Sequence, residues 1–217
     1  ASAAALQGYF TACARTGMAN DRTPAETFAQ LRRLGLEAEQ AMYAATGGVN
    51  THKGALFSLG LLCAAWGRLQ AQNQPLTAEN LCDLAAQMTE GITRREMQAT
   101  DTHGLAVHAA YGAKGVRGEA ESGFASVREL AMPQLSRPNG RYLALLSLIA
   151  HVRDTNVLHR AGEEGLHWLQ SRAKDLFSNF SISAMEQLDR ECIDRNISPG
   201  GCADLLAIAF FMQSVIH

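Results

Sequence analysis

The stretch Thr46–Leu69, TGGVNTHKGALFSLGLLCAAWGRL, decides the fold. From Gly54 onward it is nearly all apolar, and it is rich in Ala and Leu rather than in β-branched or aromatic residues. That composition favours a helix, and a helix apolar on most sides is one made to be buried. The pair Gly47–Gly48 stops the preceding segment, so the helix is expected to run from about Asn50 to Gln72. Its opening residues, Asn50, Thr51, His52 and Lys53, are polar or cationic. Asn50 or Thr51 can serve as an N-cap with Lys53 solvated in the first turn. The same residues can also receive an anion, which would offset the conflict between Lys53 and the positive end of the helix dipole.

Outward from this helix the chain reads as helical nearly throughout. Ala3–Ala14 is short and apolar. Thr23 is an expected N-cap, with Pro24 at the first helical position and apolar residues at Phe28, Leu31, Leu34, Ala38, Ala41 and Met42. Thr77 caps a segment whose face carries Leu81, Leu84, Ala85 and Met88. Thr93–Gly123 is polar and rich in Gly and charge, so short helices and loops are expected there. Pro133, Pro138, Asn139 and Gly140 mark a turn, and Leu143–His151 is a buried helix. Arg153–Gly165 reads as an interruption. Leu166–Phe177 and Ala184–Asn196 are amphipathic, and Leu205–Val215 is an apolar final helix. The expected fold is all-α, a single compact multi-helix domain over residues 1–217 with about eight to ten helices and Gly-rich functional loops at helix ends.

Composition narrows the function. The 217 residues are 47 % hydrophobic and only 6 % aromatic, enough for a full core. A formal net charge of -2 argues against a general nucleic-acid or anionic-membrane surface, so any polyanion site is local. The longest apolar run, Ala55–Gly67, is interrupted by Ser58 and is too short to span a bilayer. No signal peptide is evident. Five widely spaced cysteines (Cys13, Cys63, Cys82, Cys192 and Cys202), an odd number without a CxxC, fit reduced, packed thiols in a cytoplasmic protein rather than a zinc site or a disulfide framework.

The chemistry concentrates in polar clusters at breaks between apolar segments: GGVNTHKG, GVRGEAESG, RDTNVLHRAGEEG and SPGGCAD. Each mixes glycine and charge with a hydroxyl or amide, and together they suggest helix ends converging on one phosphate-rich ligand. In the second cluster Arg117 can hold a phosphate or carboxylate in two hydrogen bonds. Glu119 and Glu121, two apart, would face different ways on one helix but could reach one cation from a turn. A charged helix start explains them equally well. In the third, Asp154 follows a strongly apolar segment. It either caps the next helix or stands as a costly buried carboxylate that must be paired, metal-bound or catalytic. Asn156, His159, Arg160, Glu163 and Glu164 follow it, without zinc-motif spacing. Oxygen-rich clusters beside phosphate-binding bases point to Mg²⁺. In the fourth, Ser198, Gly200 and Gly201 form a Gly-rich turn opening a helix, without the GK[ST] of a Walker A loop. Asp204 lies in that helix's first turn, where the dipole alone would favour it.

The ordered set GGVNTHKGALFSLGLLCAA, GVRGEAESGF, DTNVLHRAGEEGL and LDRECIDRNISPGGCADLLA resembles the triphosphoribosyl-dephospho-CoA synthase family. This family makes the precursor of the citrate lyase prosthetic group, and a sister branch serves malonate decarboxylase. The likeness runs from about Leu31 to the C-terminus, and DRECIDRN, Asp189–Asn196, is closer to the citrate lyase branch. Departures are an expected initial segment with a Lys-Pro-Gly-Leu-Val-Asp motif, absent before ASAAALQGYF, and short stretches around Pro133–Arg141 and Phe177–Ala184.

The resemblance implies attack of the 3′-dephospho-CoA ribose 2′-hydroxyl on C1′ of the ATP ribose, with adenine leaving and the triphosphate retained. It implies ATP as substrate, Mg²⁺ as the expected cofactor, and a product passed to an acyl-carrier-protein transferase. Neither nucleic acid nor membrane is an expected partner, and a homo-oligomer is a candidate assembly. Lys53, Arg117 and Arg160, with N–H groups of Gly200 and Gly201, are then the triphosphate candidates. Asn50, Thr51, Asn156, His159 and Ser198 are further substrate-binding candidates. Glu119 or Asp154 is the expected proton acceptor or oxocarbenium stabiliser, and His52 or His159 the group that assists adenine departure. Glu121, Glu163 and Asp204 are the metal candidates. Competing readings are a metal-dependent ADP-ribosyl-type hydrolase and a non-catalytic nucleotide-binding helical protein.

Overall fold

The computed structural model describes residues 6–19, 21–48, 53–96 and 103–216, and for 103–106 the backbone alone. Among the described residues all regular structure is helical. None of these helices is long and apolar enough to cross a membrane. The chain forms two compact units. The first comprises Ala1–Gly91, Ala120–Phe124 and Phe210–His217, and the second Ile92–Glu119 and Ala125–Ala209.

The first unit is built on α1 (Gln7–Met18), α2 (Pro24–Ala45), α3 (Lys53–Ala71) and α4 (Ala78–Thr89). The caps read from the sequence are present. The Thr23 hydroxyl accepts from the Glu26 N–H at 3.3 Å, while Glu26 Oε2 accepts from the Thr23 N–H at 2.8 Å, which completes a capping box. Thr77 accepts from the Asn80 N–H at 3.1 Å at the start of α4. The apolar α3 is buried on most sides, through Leu56, Leu61, Leu62, Ala64, Ala65 and Leu69. A fully buried leucine contributes about 1.5–3 kcal/mol, so this one helix is a large share of the core. It packs directly on α1 because glycine lines the seam. A Cβ on Gly17 would run into the Ala64 carbonyl, and one on Gly67 into the Ala14 carbonyl. Leu6, Ala38, Met42 and Leu56 extend this core, with Tyr9, Phe10 and Tyr43 packed against them. All five cysteines are free thiols, as their spacing led us to expect.

The second unit contains α5 (Ile92–Glu96), α6 (His103–Tyr111), the first part of α7 (Gly115–Glu121), a π-helical turn (Val127–Ala131), α8 (Met132–Leu135), α9 (Gly140–His151), α10 (Thr155–Ser178), α11 (Ile182–Asp194) and the first part of α12 (Gly200–Val215). The described residues of the Thr93–Gly123 stretch form short helices and turns, in keeping with its composition. Arg153–Gly165 differs from expectation. α10 begins at Thr155, because Asp154 caps it and Val157, Leu158, Leu166 and Leu169 supply a buried face. The interruption is confined to Gly162, whose φ of 63° and ψ of -165° break the helix from within. α12 likewise begins at Gly200 rather than near Leu205.

Candidate active site

The first candidate cluster divides at the edge of the described residues. Asn50, Thr51 and His52 lie outside them. Lys53 is the first residue of α3, and its Nζ lies 2.8 Å from Glu39 Oε2 on α2, within the first unit. That carboxylate offsets the unfavourable position of a cation at a helix start.

In the second unit the densest constellation surrounds Asp154, which is only 3 % exposed. Its Oδ1 accepts from the N–H groups of Asn156 at 2.8 Å and Val157 at 3.4 Å, and so caps α10. Its Oδ2 accepts from the Cys202 N–H at 2.8 Å, in the first turn of α12. One carboxylate therefore ties the N-termini of two helices. The glycines of SPGG make room for this tie. A Cβ on Gly201 would sit 3.1 Å from both Asp154 oxygens, and one on Gly200 would sit 3.0 Å from Asn156 Nδ2. Burial pushes the Asp154 carboxyl above its ordinary range, and the backbone donors pull it back.

Glu119 is the second desolvated carboxylate. It lies in α7, and its Oε1 accepts from the Ser126 hydroxyl at 2.6 Å. Burial raises its proton affinity first, Ser126 lowers it, and the nearby Glu129 adds a further upward push. Both carboxylates act on the Cys202 thiol, which burial holds well above the ordinary cysteine range, with Asp154 and then Glu119 raising it further. Asp154 and Cys202 are thus buried together in the second unit, with the half-buried Glu119 near enough to act on the thiol. A carboxyl whose proton affinity is raised by desolvation is the kind of group that exchanges protons near neutrality.

The remaining candidates are more dispersed. Arg117 Nε lies 3.0 Å from Glu96 Oε2, both partly buried. Arg160 Nη1 donates to Asn196 Oδ1 at 3.2 Å. Glu163 forms an ion pair with Arg153, whose guanidinium also donates to the Tyr111 carbonyl at 3.2 Å. Asn156 and His159 are exposed on α10, while Glu121, Ser198 and Asp204 are partly exposed. Sequence reasoning missed Glu96, Ser126 and Cys202. Ser126 meets Glu119 across the turn at Gly123 and Phe124, both at positive φ, which no helical spacing would have suggested. Cys202 stood inside SPGGCAD but was read only as packing.

A model of the family described as CitG, ATP:dephospho-CoA triphosphoribosyl transferase, matches residues 1–217. The chain belongs to this family. It is therefore an enzyme, a triphosphoribosyl-dephospho-CoA synthase that uses ATP. The fold is similar to a crystal structure from Archaeoglobus fulgidus assigned, provisionally, as a triphosphoribosyl-dephospho-CoA synthase. The TM-score is 0.63 at 18 % sequence identity, covering 99 % of this chain and 97 % of that one.

The family reaction retains a triphosphate, so the fit of a divalent cation can be tested on the residues present. Among the described residues, no group of three or more His, Cys, Asp or Glu side chains is placed to hold a metal ion. Glu163 is engaged by Arg153, and Asp154 by backbone N–H groups. These residues do not form a protein cage for Mg²⁺, and no chemical step below depends on one.

Proposed function

We propose that this transferase uses Glu119 as the proton acceptor of its reaction, with Asp154 as the residue that positions the site. The single observation that carries this assignment is the contrast between a buried carboxylate, Asp154, and a half-buried one, Glu119. Asp154 is committed through both oxygens to backbone N–H groups of α10 and α12. Glu119 is held at one residue, Ser126, through its hydroxyl and its backbone N–H; the hydroxyl can turn as the carboxyl gains or loses a proton, and burial raises the carboxyl's proton affinity.

In the proposed reaction the 2′-hydroxyl oxygen of 3′-dephospho-CoA forms a bond to C1′ of the ATP ribose while the C1′–N9 bond breaks. The hydroxyl proton passes to Glu119, and adenine takes up a proton as it leaves, so the overall proton count is unchanged. The developing charge at C1′ resembles that of glycoside chemistry, where a carboxylate beside the ring contributes by electrostatics as well as by proton transfer. Arg117 and Arg160 are the proposed phosphate contacts in the second unit, with Asn156, Ser198 and the Gly200–Gly201 turn alongside Arg160. Lys53 is a separate phosphate-binding candidate within the first unit. His52 or His159 is the proposed donor to adenine. Mg²⁺, if used, would come with the triphosphate, which supplies most of its oxygen ligands.

We assign the product to the citrate lyase acyl carrier protein, on the likeness of Asp189–Asn196 to that branch, with malonate decarboxylase as the alternative. A cytoplasmic location and hand-over to an acyl-carrier-protein transferase follow from the same assignment. Incubation with ATP, Mg²⁺ and 3′-dephospho-CoA, followed by mass spectrometry, tests the reaction. Free adenine together with a triphosphoribosylated product is expected. ADP-ribosyl-type hydrolysis would give no such adduct, and a simple binder would leave both substrates intact.

A further inference from the structure

The second unit holds a cavity of about 420 Å³ among α9, α10, α11 and the segment that leads into α12. Its wall is aliphatic and sulfur-containing, from Leu145, Ile149, Leu169, Met185, Leu188 and Ile197. Polar groups gather at Arg160, Asp189, Asn196 and Ser198, and Pro199 brings the lining to the residue before α12. Ile193 belongs to the same lining, yet it is 68 % exposed, the most exposed large apolar side chain among the described residues of this unit. An isoleucine left in water beside an apolar hollow is a surface that gains by being covered.

We propose that this cavity receives the pantetheine arm of 3′-dephospho-CoA, with the diphosphate end of that arm at Arg160. This assignment rests on the reaction given under Proposed function. The volume lies within the range of about 300–1,000 Å³ found for small-molecule sites. The wall contains no aromatic ring on which an adenine would stack. Flexible Leu, Ile and Met side chains instead suit a branched, flexible chain with dimethyl and methylene groups. The arm's two amides require polar partners on an otherwise apolar path, and Asp189 and Asn196 can accept from an amide N–H or, for Asn196, donate to an amide carbonyl. Arg160 already donates to Asn196, so its guanidinium is oriented at this mouth and retains further N–H groups for phosphate oxygens.

The test separates the two substrates. Met185→Trp fills the cavity. It is expected to raise KM for 3′-dephospho-CoA by about tenfold or more, the scale on which a filled apolar pocket discriminates, with KM for ATP unchanged. Ile193→Asp, at the exposed lip where folding is undisturbed, is expected to act in the same direction. In the wild-type protein 4′-phosphopantetheine, which carries the arm and a phosphate but no adenosine, is expected to bind by calorimetry and to compete with 3′-dephospho-CoA but not with ATP. Absence of 4′-phosphopantetheine binding, or an equal rise of both KM values in the variants, would overturn the assignment. A wild-type protein that releases no adenine would instead refute the reaction, and the calorimetric arm would still decide the cavity.

Discussion

Replacing Asp154 by Asn separates a positioning carboxylate from a catalytic one. The change is nearly isosteric, and the Asn carbonyl can take the place of Oδ1 and keep the α10 cap to Asn156 and Val157. The amide nitrogen must then face the Cys202 N–H, which now donates to Oδ2 at 2.8 Å. Two donors meet in a site that is 3 % exposed. The loss of one charge-assisted hydrogen bond, about 1.5–3 kcal/mol, and the stranding of a buried donor together come to about 3 kcal/mol. With a urea slope of about 2 kcal/mol/M, the unfolding midpoint should fall by about 1.5 M, read by circular dichroism at 222 nm. Asp154→Ala removes the cap as well and should fall further. Turnover measured well below the new midpoint should drop less than tenfold, because the chemistry is assigned to Glu119. A midpoint within about 0.3 M of wild type, combined with a loss of turnover above a thousandfold, would refute the division of labour.

Glu119→Gln should fold normally and lose turnover by about 10²–10⁴, the range of a positioned acid–base group. Because Glu119 must be ionised to accept a proton, kcat/KM in the wild type should rise with pH through a value above the ordinary glutamate range, about 4.3. Ser126 favours the ionised form, so Ser126→Ala should move that limb to higher pH; a downward move would refute the role of the hydroxyl. Gly17→Ala forces a Cβ against the Ala64 carbonyl and should destabilise by about 1–3 kcal/mol in thermal unfolding. Gly35→Ala, whose Cβ would meet only the Tyr9 hydroxyl at 3.8 Å, should be neutral or stabilising by up to about 1 kcal/mol. Lys53→Met breaks a partly exposed ion pair worth at most about 1 kcal/mol, so a large rise in KM for ATP without a change in melting temperature would mark a phosphate contact.

The sequence carried the helices and their caps more clearly than the breaks between them. Thr23 and Thr77 cap as read, because capping depends on residues a few positions apart. The Arg153–Gly165 stretch misled because its charge density suggested a loop. Helix α10 forms there nonetheless, because a single buried carboxylate satisfies its first N–H groups while the charged side chains point to solvent. The same tie moves the start of α12 to Gly200, since the Cys202 N–H has a partner 48 residues away. No local pattern announces a hydrogen bond of that range. Burial has the same limitation: the sequence proposed Glu119 and Asp154 on equal terms, and the fold distinguishes them by burial and by partners.

That distinction also changes the meaning of the glycine-rich turn. As sequence, SPGG beside a helix suggests N–H groups held open for phosphate. In the folded chain the nearest N–H, that of Cys202, is taken by Asp154, and Gly201 leaves the space this carboxylate needs. The turn is built first as a joint between α10 and α12. A joint of this kind fixes Asn156 against Gly200 and leaves Ser198 and Pro199 on the cavity wall. Substrate contacts at Asn156, Arg160 and Ser198 would therefore inherit their spacing from Asp154. The same residue can then be indispensable to binding without touching either substrate, provided its loss displaces the two helix ends together.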